Sequence, residues 1–253
     1  MSRLLLFISL LLVTGAAGAA DLDAARRDAR AGDAAYEAGE FEQAVESYSR
    51  ALDAGLDHAD LHYNLGNANY KRGELGHAIL GYRRALQRDP RHVEARENLA
   101  QAVRSQRDEA FKALALPLFL RPVQWVYARI SLNEWAMLGL ALCFLLAFVL
   151  VAAQWGIVSA TVRQRVVWPA IGAMLLSFAL CGLRFRSEEL SGAAIVVAEE
   201  VDVRSGPGSD YNLSFRVHEG LTLYISERRS DWLQIHLGGE LVGWVPADQV
   251  EAI

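Results

Sequence analysis

Apolar residues are distributed unevenly along the chain: they form three continuous runs, one region of helical period and one of strict alternation. The first run, Leu4–Val13, follows Arg3 and precedes the small-residue stretch GAAGAA, with Ala17 and Ala19 spaced for a signal peptidase and Asp21 beyond. This is the pattern of a signal peptide, residues 1–20, with an uncleaved N-terminal anchor as the alternative; either exports the polar region C-terminal to it. The second run, WAMLGLALCFLLAFVLVAA at 135–153, is about long enough at ~1.5 Å per residue to cross the hydrocarbon core of a bilayer. Ser131-Leu132-Asn133-Glu134 before it has capping-box spacing. The third run, VVWPAIGAMLLSFALCGL at 166–183, places Pro169 where a first helical turn tolerates a missing N–H. Two membrane helices are therefore predicted, 134–156 and 166–183. The loop between them, 157–165, holds Arg163 and Arg165 and no acid, as a cytoplasmic loop does. With export at the N-terminus, two spans put both polar parts on the periplasmic side.

Between the first two runs the sequence repeats at an offset of 34. Gly32/Gly66, Ala34/Ala68, Tyr36/Tyr70, Gly39/Gly73, Glu40/Glu74, Ala44/Ala78, Tyr48/Tyr82, Arg50/Arg84, Ala51/Ala85 and Leu52/Leu86 are identical pairs, and Asn64/Asn98 and Leu65/Leu99 continue the period faintly. Each unit makes sense as a helical hairpin. Small residues allow close helix approach, Gly39 and Gly73 suit the left-handed end of a first helix, and Tyr48 and Tyr82 fill the hairpin core. The period and the Leu65-Gly66, Gly73, Ala78, Tyr82, Ala85 and Pro90 series resemble the tetratricopeptide repeat. His62 and Asn69 stand where that family usually has Trp and Tyr, and Leu56 replaces the terminal proline of the first unit. Residues 25–107 are read as two repeats plus a closing helix, His92–Arg107.

Residues 108–133 do not fit the repeat. Pro117 and Pro122 break a helix, and Trp125, Tyr127 and Trp135 are amphipathic aromatics suited to a membrane interface, so the segment reads as an interfacial connector. A third buried soluble helix is the alternative.

From 190 to 253 alternation of period two takes over. AAIVVAEEVDV, LTLYISE, WLQIHL and LVGWVPADQV are separated by turn residues, which predicts four or five short strands in a small all-β barrel. The loop VRSGPGSDY at 203–211 could be taken for a phosphate cradle. It lacks both the third glycine of a dinucleotide fingerprint and the Gly-Lys-Ser/Thr of a P-loop, and Pro207 removes a backbone donor. It is instead a turn in which Pro207 fixes one φ and Gly206 and Gly208 supply unusual ones. That loop, followed by Asp231-Trp232-Leu233-Gln234-Ile235 and Gly243-Trp244-Val245, resembles a bacterial SH3-like domain.

Composition narrows the chemistry. The chain has 253 residues, 53% of them hydrophobic, and a formal charge of −5. Residues 192–253 hold four Arg against ten Asp and Glu, which disfavours nucleic acid or an anionic polymer as ligand. Both cysteines, Cys143 and Cys181, fall in the apolar runs as packing residues. The histidines, His58, His62, His77 and His92 among them, lack metal-ligand spacing and read as a solvated surface. No Cys–His, Ser–His–Asp or HExxH pattern appears, so no catalytic residue, metal or cofactor is expected, and the chain is read as non-enzymatic.

The order of signal, tetratricopeptide repeats, two membrane helices and SH3-like domain, with Ser131-Leu132-Asn133-Glu134-Trp135 opening the first span, is similar to the BatE family of aerotolerance-operon proteins. The resemblance implies a bacterial inner-membrane scaffold acting beside von Willebrand-type membrane Bat proteins and, indirectly, a MoxR-type ATPase. Binding of peptidoglycan peptides by the SH3-like domain is the alternative. The repeat geometry implies a concave partner face of Asp33, Tyr36 and Glu37, then Tyr63, Asn67, Tyr70 and Lys71, then Gln101 and Arg104. Ala29 and Asp33 replace the Lys and Asn of the basic clamp for a terminal carboxylate, so an internal segment of a partner is the expected ligand. Tyr36 and Tyr70 could instead pack between hairpins. Tyr211, Trp232 and Trp244 are the expected SH3-like groove, with at least one tryptophan a candidate for the core.

Overall fold

The computed structural model describes residues 22–108, 126–157, 159–189, 192–237 and 241–253. The expected signal peptide, and the connector from 109 to 125, lie outside the described residues. The chain divides into two units, one holding the repeat region with the β-domain and the other the two apolar helices.

In the first unit, α1 (22–38), α2 (Phe41–Asp53), α3 (Ala59–Arg72), α4 (Leu75–Arg88) and α5 (Val93–Arg104) form two hairpins and a closing helix. Close helix approach depends on the paired small residues. A Cβ on Gly32 would stand 2.5 Å from the Tyr48 ring, and one on Gly66 would stand 2.9 Å from the Tyr82 ring. Tyr48 and Tyr82 are almost fully buried as a result. Gly39 and Gly73 end α1 and α3 with φ of 81° and 86°, the left-handed conformation anticipated for them.

The β-domain has seven antiparallel strands in the order β3-β2-β6-β5-β4-β1-β7: β1 (Ala193–Val196), β2 (Glu200–Arg204), β3 (Leu213–His218), β4 (Thr222–Arg229), β5 (Trp232–Leu237), β6 (Leu241–Pro246) and β7 (Val250–Ala252). This exceeds the four or five strands expected. The 193–203 segment bends at 197–199 into two strands, and β3, LSFRVH, lies outside the expected segments although its apolar and polar residues alternate. Val201, Val203, Val217, Leu223, Leu233, Ile235, Leu237 and Val245 make the core.

The two modules pack together. Ile195 of β1 joins Ala78, Ile79, Leu80, Tyr82 and Ala102 in one buried cluster. A Cβ on Gly76 would lie 2.6 Å from the Val196 carbonyl oxygen, and Gly220, at φ 83°, approaches Ile79 Cδ1 equally closely. Arg84 Nη2 donates to Glu251 at 3.0 Å and to the Ala252 carbonyl at 2.6 Å. Arg83 donates to Thr222 Oγ1 at 2.8 Å, and burial lowers its pKa. Asp108 accepts from the His218 N–H at 2.7 Å and lies 2.9 Å from its Nδ1.

In the second unit, α6 (Leu132–Gln154) and α7 (Ala160–Glu189) form a hairpin. Ser131 caps α6 in a full capping box with Glu134. Both helices are long and apolar enough to cross a membrane, with mean hydropathy 2.8 in an 18-residue stretch of Leu132–Gln154 and 2.0 in one of Arg163–Arg186. They meet where Gly139 admits the Phe178 ring and where buried Ser177 donates to the Trp135 carbonyl at 2.8 Å. Cys143 lies 3.3 Å from Met174, midway along the pairing, and Cys181 lies 3.9 Å from the Leu132 carbonyl, at its end, so the two sit at different depths. Two details differ from the sequence reading. α7 starts at Ala160, before the apolar run, so Pro169 sits inside the helix and not in its first turn; a proline is tolerated in such helices where neighbours re-satisfy the freed carbonyl. Trp135 is buried, with 8% exposure, and does not face outward.

Candidate functional site

Helices α1, α3 and α5 carry the residues expected to line a concave face, and their side chains form a hydrogen-bonded row. The Tyr48 hydroxyl donates to Asp33 Oδ1 at 2.8 Å, and Asn64 Nδ2 reaches the same oxygen at 3.3 Å. One repeat on, Asn67 Oδ1 accepts from the Tyr82 hydroxyl and from Asn98 Nδ2, both at 2.9 Å. The next pair is Gln101 Nε2 donating to the Tyr70 hydroxyl at 3.2 Å. Burial, then Asp33, pushes the Tyr48 phenol well above its ordinary pKa, so it stays a donor.

Asp33, Tyr36, Glu37 and Asn67 come together, with Tyr48 and Asn64, around a hollow of about 260 Å³. Tyr36 is partly buried and meets Phe41 edge-on at 5.4 Å. Tyr63 and Tyr70 pack partly into the second hairpin's core, Tyr63 with its ring 4.7 Å from His92 and 6.0 Å from Tyr82. Lys71 and Arg104 are exposed and outside that hollow. Asn64, Asn98 and Tyr48 were missed as site residues. Asn64 and Asn98 share the 34-residue offset, and that periodicity on a polar face was the available signal.

His62 and His92 depart from the solvated surface expected of the histidines, whereas His58 is exposed. His62 is buried, with 5% exposure, because it occupies the inward repeat position where the tetratricopeptide family usually has Trp. Its Nε2 lies 2.8 Å from Asp57, which Arg88 grips at 3.0 and 2.6 Å. His58 and His92, 34 residues apart, accept at Nδ1 from Leu61 and Ala95 N–H groups and cap α3 and α5. Burial holds the His62 pKa below its ordinary value against the opposing pull of Asp57. The unfolded chain takes up that proton near pH ~6.5, so the stability contributed by neutral His62 is complete above that pH and is lost as pH falls below it. Melting temperature should drop from about pH 7.5 to about pH 5.5, and drop less in His62→Gln. An equal drop in both would place the acid sensitivity elsewhere.

The β-domain presents a second surface. Gly206 and Gly208 do not have positive φ, contrary to expectation. The glycine at 206 is required sterically, since a Cβ there would collide with the Tyr211 ring. Arg204 Nη1 staples the loop by donating to the Ser209 and Tyr211 carbonyls, each at 2.9 Å. The three aromatics expected in one groove separate. Trp232 lines a cleft of about 460 Å³ with Glu200, Asp202, Arg204, Ser209, Pro246 and Gln249. Tyr211 is half exposed on the glycine loop, whereas Trp244 is buried, with 6% exposure and the Arg229 guanidinium 5.3 Å from its ring centre. Trp244 is covered on the strand face opposite Val245, while Gly243 lets the strand press on Val203. Among the described residues no group of His, Cys, Asp and Glu could hold a metal ion.

Known proteins match this chain in segments. Residues 29–90 match the tetratricopeptide repeat family and residues 197–251 match the bacterial SH3 domain family. A 54-residue stretch is 41% identical to a Bacillus subtilis (strain 168) protein named "Putative N-acetylmuramoyl-L-alanine amidase YrvJ"; this is 21% of the present chain and spans about a tenth of that protein's length. Two solved structures align at 17% identity. "Arabidopsis OM64 TPR domain" covers 46% of this chain and 81% of its own, with a TM-score of 0.32. "TPR2B-domain:pHsp70-complex of yeast Sti1" covers 58% and 96%, with a TM-score of 0.30. The chain contains tetratricopeptide repeats and a bacterial SH3 domain.

Proposed function

We propose that the chain is a non-enzymatic scaffold of the bacterial inner membrane that presents both modules on the periplasmic side, as part of a Bat-type envelope-stress or aerotolerance complex. Its partners are von Willebrand-type membrane Bat proteins and, through them, a MoxR-type ATPase. The observation that carries this reading is a division of faces: the SH3 domain packs on α4 and the end of α5, which leaves the inner row on α1, α3 and α5 open. Such repeats are scaffolds whose extended concave surface holds other proteins. Two crossings by α6 and α7 would return the chain to the side it left, which is compatible with the packing of the repeats on the SH3 domain. Protease added outside spheroplasts should digest both modules and leave a protected fragment around 132–186. Protection of either module would refute the topology.

Peptidoglycan binding is the second reading. It is favoured by the SH3 match and by the name of the Bacillus protein, and the Trp232 cleft, where Arg216 and Arg204 balance Glu200 and Asp202, offers an aromatic wall to a short peptide. Cosedimentation of the purified chain with sacculi, lost in Trp232→Ala and retained in Glu37→Lys, would establish it. No cosedimentation would remove it.

A further inference from the structure

The hollow between the first two repeats has a chemical bias that the repeat fold does not dictate. Two carboxylates one helical turn apart on α1, Asp33 and Glu37, share its wall with Tyr36 and Tyr48. Among the described residues Asp33 accepts neutral hydrogen bonds, from Tyr48 and Asn64. Among the described residues neither carboxylate forms an ion pair, although Arg30 stands one turn before Asp33. Elsewhere in the repeats several acids are paired: Asp28 with Arg50, Glu42 with Arg72, Asp57 with Arg88. What sets Asp33 and Glu37 apart is that both carboxylates, free of such pairing among the described residues, line one hollow.

Beside it stands Asn67. Its Oδ1 is occupied twice, by Tyr82 and Asn98, which orients the amide and leaves its N–H groups for an acceptor from outside. A cradle with two carboxylates, aromatic walls and an outward amide donor matches an extended peptide that lends a backbone carbonyl to Asn67 and a guanidinium or ammonium to Asp33 and Glu37. Carboxylates bind such a cation with charge-assisted hydrogen bonds, and a tyrosine face adds a cation–π contact.

We propose that the partner segment held in this groove is basic at this point, presenting an Arg or Lys side chain to Asp33 and Glu37. The inference rests on the groove being the partner face. A partner ending in a free carboxylate would meet like charge here and be excluded.

The test uses the full chain in lipid nanodiscs and pools of N-acetylated, C-amidated peptides about a dozen residues long, which span several repeats' width when extended. The background is Gly, Ser, Ala and Tyr, and one central position is fixed as Arg, Lys, Ala or Glu. The Arg and Lys pools should be retained roughly tenfold better than the Glu pool at low salt, the preference shrinking as salt rises. Glu37→Lys with Asp33→Asn should abolish or invert the order. Glu37 is exposed and unpartnered, and Asn at 33 still accepts from Tyr48, so the melting temperature should hold; Glu37→Lys alone provides the same test should the pair lower it. Equal retention of the Arg and Glu pools by the native chain overturns the charge selectivity and leaves the groove reading standing. Retention of no pool overturns both.

Discussion

Replacing Trp244 by alanine in the full chain is expected to unfold the SH3 domain. The side chain is 6% exposed, its strand is clamped by the contact of Gly243 with Val203, and it is paired with Arg204 on β2 and Gln234 on β5. Truncating a buried aromatic typically costs roughly 3–5 kcal/mol, a large share of the ~5–15 kcal/mol that holds a domain folded. Limited proteolysis should therefore cut within 193–253 at temperatures where the native chain resists. Trp244→Phe, which keeps most of the buried area, should resist nearly as well. An unchanged melting temperature for Trp244→Ala together with lost ligand capture would return Trp244 to an exposed binding role.

Gly76→Ala should separate the two modules even though alanine favours the helix that contains it. Gly76 is the second residue of α4, where alanine is favoured over glycine by less than the ~1 kcal/mol of a helix interior, so an isolated α4 would still gain. In the packed unit the new methyl would lie 2.6 Å from the Val196 carbonyl oxygen and 2.9 Å from Val197 Cα, and backbone cannot rotate aside as a side chain can. The SH3 domain must lift away, exposing Ile195 and Ile79 and breaking the Arg84 hydrogen bonds to Glu251 and Ala252. The native unit should melt in one transition. The variant should show two, the repeat transition no lower than before. A single transition at an unchanged or higher temperature would mean that the packing is not what joins the modules.

The repeats were legible because their fold is written in a period: glycine recurs wherever a tyrosine ring must lie against helix backbone, and that recurrence survives at Gly32 and Gly66. The SH3 core was legible through alternation, as at Val201 and Val203. β3 carries the same alternation, Leu213, Phe215 and Val217 against Ser214, Arg216 and His218, but it is lightly covered, with Val217 alone fully buried. The packing of modules left no periodic trace. It rests on single positions, Gly76, Ile195 and Gly220, each unremarkable within its own element. His62 was misjudged by polarity, although its place in the repeat pointed inward. In the groove the repeat geometry placed Asp33, Tyr36, Glu37 and Asn67 around one hollow, but the hydrogen bonds that orient them come from Tyr48, Asn64, Tyr82 and Asn98, which a face-by-face reading of the first helices does not reach.

The central claim is that partners are held on the inner face of α1, α3 and α5 and not on the SH3 domain. A photo-crosslinking residue at Tyr36, at Trp232 or at Arg91, used one at a time in cells and followed by mass spectrometry of membrane adducts, tests it most directly. The expected result is a discrete protein adduct from position 36 that disappears when Glu37→Lys is added, with position 91 silent. Adducts from position 232 alone, or adducts from 36 that ignore the charge at 37, would contradict it.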